Sequence, residues 1–154
     1  MDFEQLESHF FPDEENVISY FMEDVDVQLP AQEKLNNWIS HIIELESGQL
    51  QQLNFIFCSD AYLHQLNVSY LDHDTLTDVI SFPYSSPPNI QGDIFISIER
   101  IKANATIFEV SFLQELLRVM IHGVLHFCGY GDKSKQEAQL MRSKEDNALM
   151  YWKE

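Results

Sequence analysis

Met120-Ile121-His122-Gly123-Val124-Leu125-His126-Phe127-Cys128-Gly129-Tyr130-Gly131-Asp132 closes an apolar run that begins at Phe112 and reads as one buried helix. His122 and His126 are four residues apart, so on a helix they share one face, one turn apart. Two imidazoles in that relation can chelate one ion. Gly129 stops the helix, because glycine takes the left-handed conformation that a C-terminal cap needs. The chain then turns back and can bring Asp132 towards the same ion. Three protein ligands with a fourth position left for water is the pattern of a catalytic zinc site, not a structural one. The bland alternative is a pair of buried histidines satisfied by backbone carbonyls. Against it, both histidines interrupt an apolar face, where unpaired polar groups are costly. The stretch is not the H-E-x-x-H of metallopeptidases, since Gly123 stands where their glutamate would be and that general base is absent. Gly123 is expected to leave the helix surface bare for backbone or substrate to approach.

The elements on either side follow from pattern. Immediately upstream, a helix is expected around residues 99–105. Gly92-Asp93-Ile94-Phe95-Ile96-Ser97 and Asp78-Val79-Ile80-Ser81-Phe82-Pro83 read as strands, the second ending at a proline that marks an edge or a terminus. Residues 50–58 alternate around Leu53, Phe55 and Phe57 as another strand, and Ser59 caps a short helix through Asn67. Leu35, Trp38, Ile39, Ile42 and Ile43 mark one helical face, with Pro30 in the first turn and Gly48 at the end. Residues 17–22 form a first strand, preceded by a loose acidic arm over 1–14. Downstream, Ser134-Lys135-Gln136-Glu137 is a capping box that opens a last helix through Tyr151. The order β-α-β-α-β-β-α-α-α predicts a single α+β domain over 1–154: a mixed four-stranded β-sheet packed with about five helices, and the metal site at the end of a central helix. The β-α-β parts favour parallel pairing; the last two strands favour an antiparallel edge pair.

Composition narrows the function. The formal net charge is −16, and it is unevenly placed: residues 1–98 hold 17 acids and one base, residues 99–154 eight of each. Such a chain is a poor nonspecific binder of nucleic acid, because phosphate contacts need Lys and Arg. Any RNA site must use a local patch, with the metal as its main positive charge. An acidic N-terminus without a basic region argues against a signal peptide, and no long uncharged apolar run argues for a membrane span, so a cytoplasmic protein with reduced Cys58 and Cys128 is expected.

Three blocks of the chain resemble the YbeY endoribonucleases, the rRNA maturation factors. They are His122-Gly123-Val124-Leu125-His126-Phe127-Cys128-Gly129-Tyr130-Gly131-Asp132 against the family's H-G-x-L-H-L-x-G-Y-D-H, Thr77-Asp78-Val79-Ile80-Ser81-Phe82-Pro83 against T-D-V-[IL]-S-F-P, and Gly92-Asp93-Ile94-Phe95-Ile96-Ser97 against G-D-I-x-[IL]-S. Leu66-Asn67-Val68-Ser69-Tyr70 is a weaker fourth match. Together they span about residues 50–145. The resemblance implies a metal-dependent, single-strand-specific endoribonuclease acting in rRNA processing near the small-subunit 3′ end and in ribosome quality control. It implies one Zn2+ on His122, His126 and Asp132, with Thr77, Asp78 and Ser81 lining the site. Two positions depart from the pattern. The family's third ligand is usually histidine, here Asp132, which suits harder ions such as manganese somewhat better. The family commonly has an arginine at the position of Leu71, a phosphate contact for which Arg118 or Lys133 could substitute.

Other roles are assigned as follows. Asp78 could equally be a loop-to-strand junction bonding local backbone. Asp93 is expected to stabilise a turn. His73 is a surface-loop histidine, and His9, His41 and His64 are structural. The rival functions are a different metal-dependent hydrolase, disfavoured by Gly123; a non-catalytic metal-stapled factor that escorts ribosomal RNA or a ribosomal protein; and, last, a two-His-one-carboxylate oxygenase. The expected partners are single-stranded rRNA and the ribosome, with no membrane.

Overall fold

The computed structural model describes residues 17–71 and 77–153. The arm over 1–14, with His9, and the loop residue His73 lie outside the described residues. Four strands and five helices follow one another as β1 (Ile18–Met22), α1 (Gln32–Leu45), β2 (Gln49–Cys58), α2 (Asp60–Leu71), β3 (Val79–Pro83), β4 (Asn89–Ser97), α3 (Ile98–Ile107), α4 (Phe112–Phe127) and α5 (Lys135–Met150). The sheet order is β1-β2-β4-β3. β1 and β4 run parallel to β2, and β3 pairs antiparallel with β4 at the edge. The α+β class, the mixed sheet and the antiparallel edge pair are as the sequence predicts.

The middle strands explain the layering. Residues 53–58 of β2 are buried without interruption, as they must be where helices cover both faces of a sheet. Strand alternation then sorts them. Phe55 and Phe57, with Ile94 and Ile96 of β4, belong to the large core under α1, α4 and α5. Ile56, Cys58 and Phe95 belong to a smaller core with Leu63 and Leu66 of α2.

Several local expectations need correction. Pro30 precedes the N-cap residue Ala31 and is not in the first turn of α1. That helix ends at Leu45, and Ser47, not Gly48, takes the left-handed conformation (φ 59°). α2 continues past Asn67 to Leu71, with the Ser59 hydroxyl accepting from the Tyr62 N–H at its start. Asp93 does not hold a turn. It sits inside β4, buried, accepting hydrogen bonds from Asn54 Nδ2 (2.9 Å) and the Tyr84 hydroxyl (2.7 Å). Strand pairing had already ordered its backbone, so its side chain serves the core.

Gly123 leaves the helix surface bare as expected, and what approaches it is the sheet, not substrate. It faces the sheet, where an added Cβ would come within 2.8 Å of Ile94 Cδ1 and 2.9 Å of Ile94 Cγ2. The missing side chain lets α4 lie close on β4. Ile94 is fully buried and cannot withdraw. Gly123→Val is therefore expected to destabilise the fold by about 2 kcal/mol through overpacking, lowering Tm by about 4–8 °C. A thermal melt matching the wild type would mean that the close approach is dispensable.

Candidate metal centre

α4 is an apolar helix seated on the sheet, and its C-terminal turn carries the two histidines to the edge of the core. Ser111 starts the helix, accepting from the Gln114 N–H. Its end is a Schellman motif. Gly129 takes φ +108°, its N–H donates to His126 O (3.0 Å), and the Tyr130 N–H donates to Leu125 O (3.1 Å). This turn reverses the chain and delivers Asp132. The Ser134 capping box then launches α5.

His122 Nε2 and His126 Nε2 stand 2.9 Å apart, and each is 3.3 Å from Asp132 Oδ2. The outer nitrogens decide what that means. His122 Nδ1 is 2.7 Å from Glu145 Oε2, and His126 Nδ1 is 2.8 Å from the backbone oxygen of Tyr130. A backbone carbonyl can only accept, and so can an ionised carboxylate, so each Nδ1 carries the proton. In the neutral imidazoles both Nε2 atoms are then bare lone pairs. Two lone pairs and a carboxylate oxygen thus point at one another, an arrangement that calls for a cation. A tetrahedral zinc site spaces its ligand atoms about 3.3 Å apart, so the three atoms fit such an ion with little movement. Among the described residues this is the group able to hold a metal.

Glu145 is the part of the site that the sequence reading missed. It lies on α5, 5% exposed, and its second oxygen accepts from Arg118 Nη1 at 3.0 Å. Arg118 Nη2 also bonds Asp146 Oδ1 at 2.8 Å. Burial works to lower the pKa of His122, but the hydrogen bond and charge of Glu145, with Asp132 and Asp78 behind it, outweigh burial and raise it. A signal for Glu145 was present: Met141, Glu145 and Ala148 are the buried residues of α5 and follow i, i+4, i+7 spacing. A carboxylate in an otherwise apolar stripe needs a buried partner.

The sequence-assigned residues divide between two positions. Thr77, Asp78, Ser81 and Lys133 line one groove together with His122, His126 and Asp132, and Leu71 is at its margin. Asp78 keeps the local backbone bond expected of a strand junction, yet burial raises its carboxyl above the usual range and it faces the groove as well. Arg118 does not line that groove; it borders the adjoining cavity with His122 and Asp132, its guanidinium held against α5 by the two carboxylates. Cys58 and Cys128 are free thiols, and burial pushes Cys128 up to about 11, so neither is a nucleophile.

An α+β sheet with a two-histidine, one-carboxylate cluster at a helix end defines a class of protein with a group able to hold a metal. The family description "Endoribonuclease YbeY" matches residues 16–153. The chain belongs to this family. It is 50% identical over 129 residues to the Endoribonuclease YbeY of Flavobacterium johnsoniae, covering 84% of this chain and 93% of that protein. It is 53% identical over 129 residues to that of Amoebophilus asiaticus, covering 83% and 88%. A solution structure of TM1509 from Thermotoga maritima superposes with a TM-score of 0.60 at 28% identity, covering 88% of this chain and 91% of that one.

Replacing Glu145 by Gln removes the charge that fixes the His122 tautomer. Zinc affinity of Glu145→Gln is expected to fall by about tenfold or more, measured by competition with a chromophoric chelator. Unchanged affinity would show that Glu145 serves packing alone.

Proposed function

We propose that this protein is a metal-dependent endoribonuclease that cuts single-stranded RNA. Its substrate is rRNA near the small-subunit 3′ end, in rRNA processing and ribosome quality control, and it works in the cytoplasm on the ribosome. The observation that carries the reading is the pair of tautomer-fixed Nε2 lone pairs facing Asp132 on the wall of an open groove. Family membership and the activity named for its relatives supply the reaction class.

His122, His126 and Asp132 would hold one Zn2+, or another divalent ion. Such an ion supplies Lewis acidity to a phosphate oxygen and lowers the pKa of a water towards ~7. The chain's own residues do the rest. Glu145 keeps His122 presented through Nε2, and the Tyr130 carbonyl does the same for His126. Arg118 acts as a positioning residue through Glu145. Lys133, exposed on the groove, meets the phosphate in the role first considered for either cation. Thr77 and Ser81 offer hydroxyls to the sugar–phosphate backbone, and Asp78 offers a half-buried carboxyl whose pKa is raised by desolvation. Leu71 replaces a phosphate contact with apolar surface, so backbone affinity rests on few cations and falls only shallowly with salt.

The test is cleavage of a labelled single-stranded RNA by zinc-loaded protein, beside a duplex of the same sequence. Single strands are expected to be cut and duplex spared, with activity lost on chelation and reduced at least about 100-fold in His126→Ala. Cleavage that survives His126→Ala comes from another nuclease, and a wild type that binds zinc but cuts nothing points to an rRNA or ribosomal-protein escort. Asp132→His separates the metals: it is expected to raise zinc affinity over manganese relative to wild type, and an unchanged ratio would remove Asp132 from the ligand set.

A further inference from the structure

The groove has a second lobe. On the far side of His122 and Asp132 a cavity of about 420 Å3 opens between α3, α4 and α5, its lining including Asp78, Phe108, Glu115, Met141 and Arg142. Asp78, His122 and Asp132 border both lobes, so the metal cluster lies where they join.

Building on the nuclease reading, we propose that this lobe is a nucleobase subsite that selects guanine at a nucleotide flanking the cleaved phosphate. The Glu115 carboxylate would accept from guanine N1–H and N2–H2.

Glu115 is 4% exposed and borders the cavity, and its carboxylate has no hydrogen bond or ion pair among the described residues. Its oxygens are not sealed off but open to the cavity, where a carboxylate shielded from bulk water gains from donors. Burial and then the charge of Asp78 push its carboxyl above the usual range, while Arg118 and Arg142 pull the other way. A ligand with donors relieves this, and the geometry of a carboxylate favours two adjacent ones. Guanine alone among the four RNA bases presents two neighbouring donors on its pairing edge. Adenine and cytosine set one amino group beside an acceptor, and uracil sets one N–H between two carbonyls.

The surroundings suit a base rather than a second ion. The metal-sized group of ligand atoms among the described residues comprises His122, His126 and Asp132 and does not include Glu115. Phe108, the C-cap residue of α3, is 54% exposed and offers a ring face for stacking. Glu115 and His122 are seven residues apart on α4, two turns along one face, or about 10 Å. That is within reach of the base of a nucleotide whose phosphate is at the metal. Arg142, largely exposed on the rim, can meet the neighbouring phosphate.

The experiment titrates 5′-GMP, 5′-IMP, 5′-AMP and 5′-CMP into the zinc-loaded full chain and follows amide shifts by NMR. GMP is expected to bind about tenfold or more tighter than AMP or CMP, moving the resonances of Phe108 and Glu115. IMP, which keeps N1–H and lacks the 2-amino group, should fall between them; this comparison needs no variant. Glu115→Gln should bring GMP down to the level of AMP with zinc content unchanged. Equal binding of all four nucleotides, or a guanine preference that survives Glu115→Gln, overturns the proposal. So does displacement of nothing by nucleotides but saturation by a short arginine peptide, which would make the lobe a socket for a basic protein partner. Failure of the two readings is distinguishable. RNA cleavage without base preference leaves the nuclease and removes the subsite, whereas selective GMP binding by a protein that cuts no RNA does the reverse.

Discussion

The chain of contacts Arg118–Glu145–His122 joins α4 to α5 and sets the chemistry of the site at the same time. A carboxylate buried as deeply as Glu145 is tolerable only with both oxygens occupied, and here one takes the Arg118 guanidinium and the other the His122 ring. Removing either partner would leave a charge in a poorly solvated place, a loss of about 3–5 kcal/mol for a buried pair. The pairing therefore fixes how α5 packs on α4. It also forces the proton of His122 onto Nδ1 and leaves Nε2 free for a metal. The structural and the chemical consequences cannot be separated, because one hydrogen-bonded carboxylate produces both.

The second histidine is set by backbone geometry instead. Its partner is the Tyr130 carbonyl, which points at Nδ1 only because Gly129 turns the chain with a positive φ. One glycine thus places two parts of the site, the acceptor behind His126 and the Asp132 carboxylate three residues on. The two imidazoles are consequently presented by different means, one by a long-range charge and one by a local turn. Loss of the α4–α5 packing would release His122 first and leave His126 oriented.

Much of this was legible in the sequence, and the parts that were not share a cause. The i, i+4 histidines, the stop at Gly129 and the turn to Asp132 are local, so spacing was enough to bring them together. The strands followed from alternation, and the edge place of β3 from the proline at Pro83. Glu145 was not found because its partners are 23 and 27 residues away in sequence, and no local pattern gives the register between two helices. Arg118 was taken as a candidate phosphate contact for the same reason. Gly123 was left open between backbone and substrate because helical spacing says which residues share a face but not which face meets the sheet. Asp93 was assigned to a turn because Gly-Asp is turn-like in isolation, whereas β2 and β3 pair along both of its edges.

The charge distribution makes one further point about substrate handling. A chain at −16 repels a polyanion at long range, so RNA has to be drawn in by short-range contacts. With Asp132 in place of a histidine, a bound divalent ion and its three ligands would carry a net charge of about +1 instead of +2, which weakens that local attraction. Leu71 weakens it again on the near wall of the groove. What remains is Lys133 on one lobe, Arg142 on the rim of the other, and donor–acceptor contacts to bases and sugars. Recognition built this way depends on unpaired, accessible bases more than on phosphate density. A duplex hides those edges while presenting more phosphate to the acidic surface. On the proposed function, a preference for single strands would follow from the electrostatics of this chain.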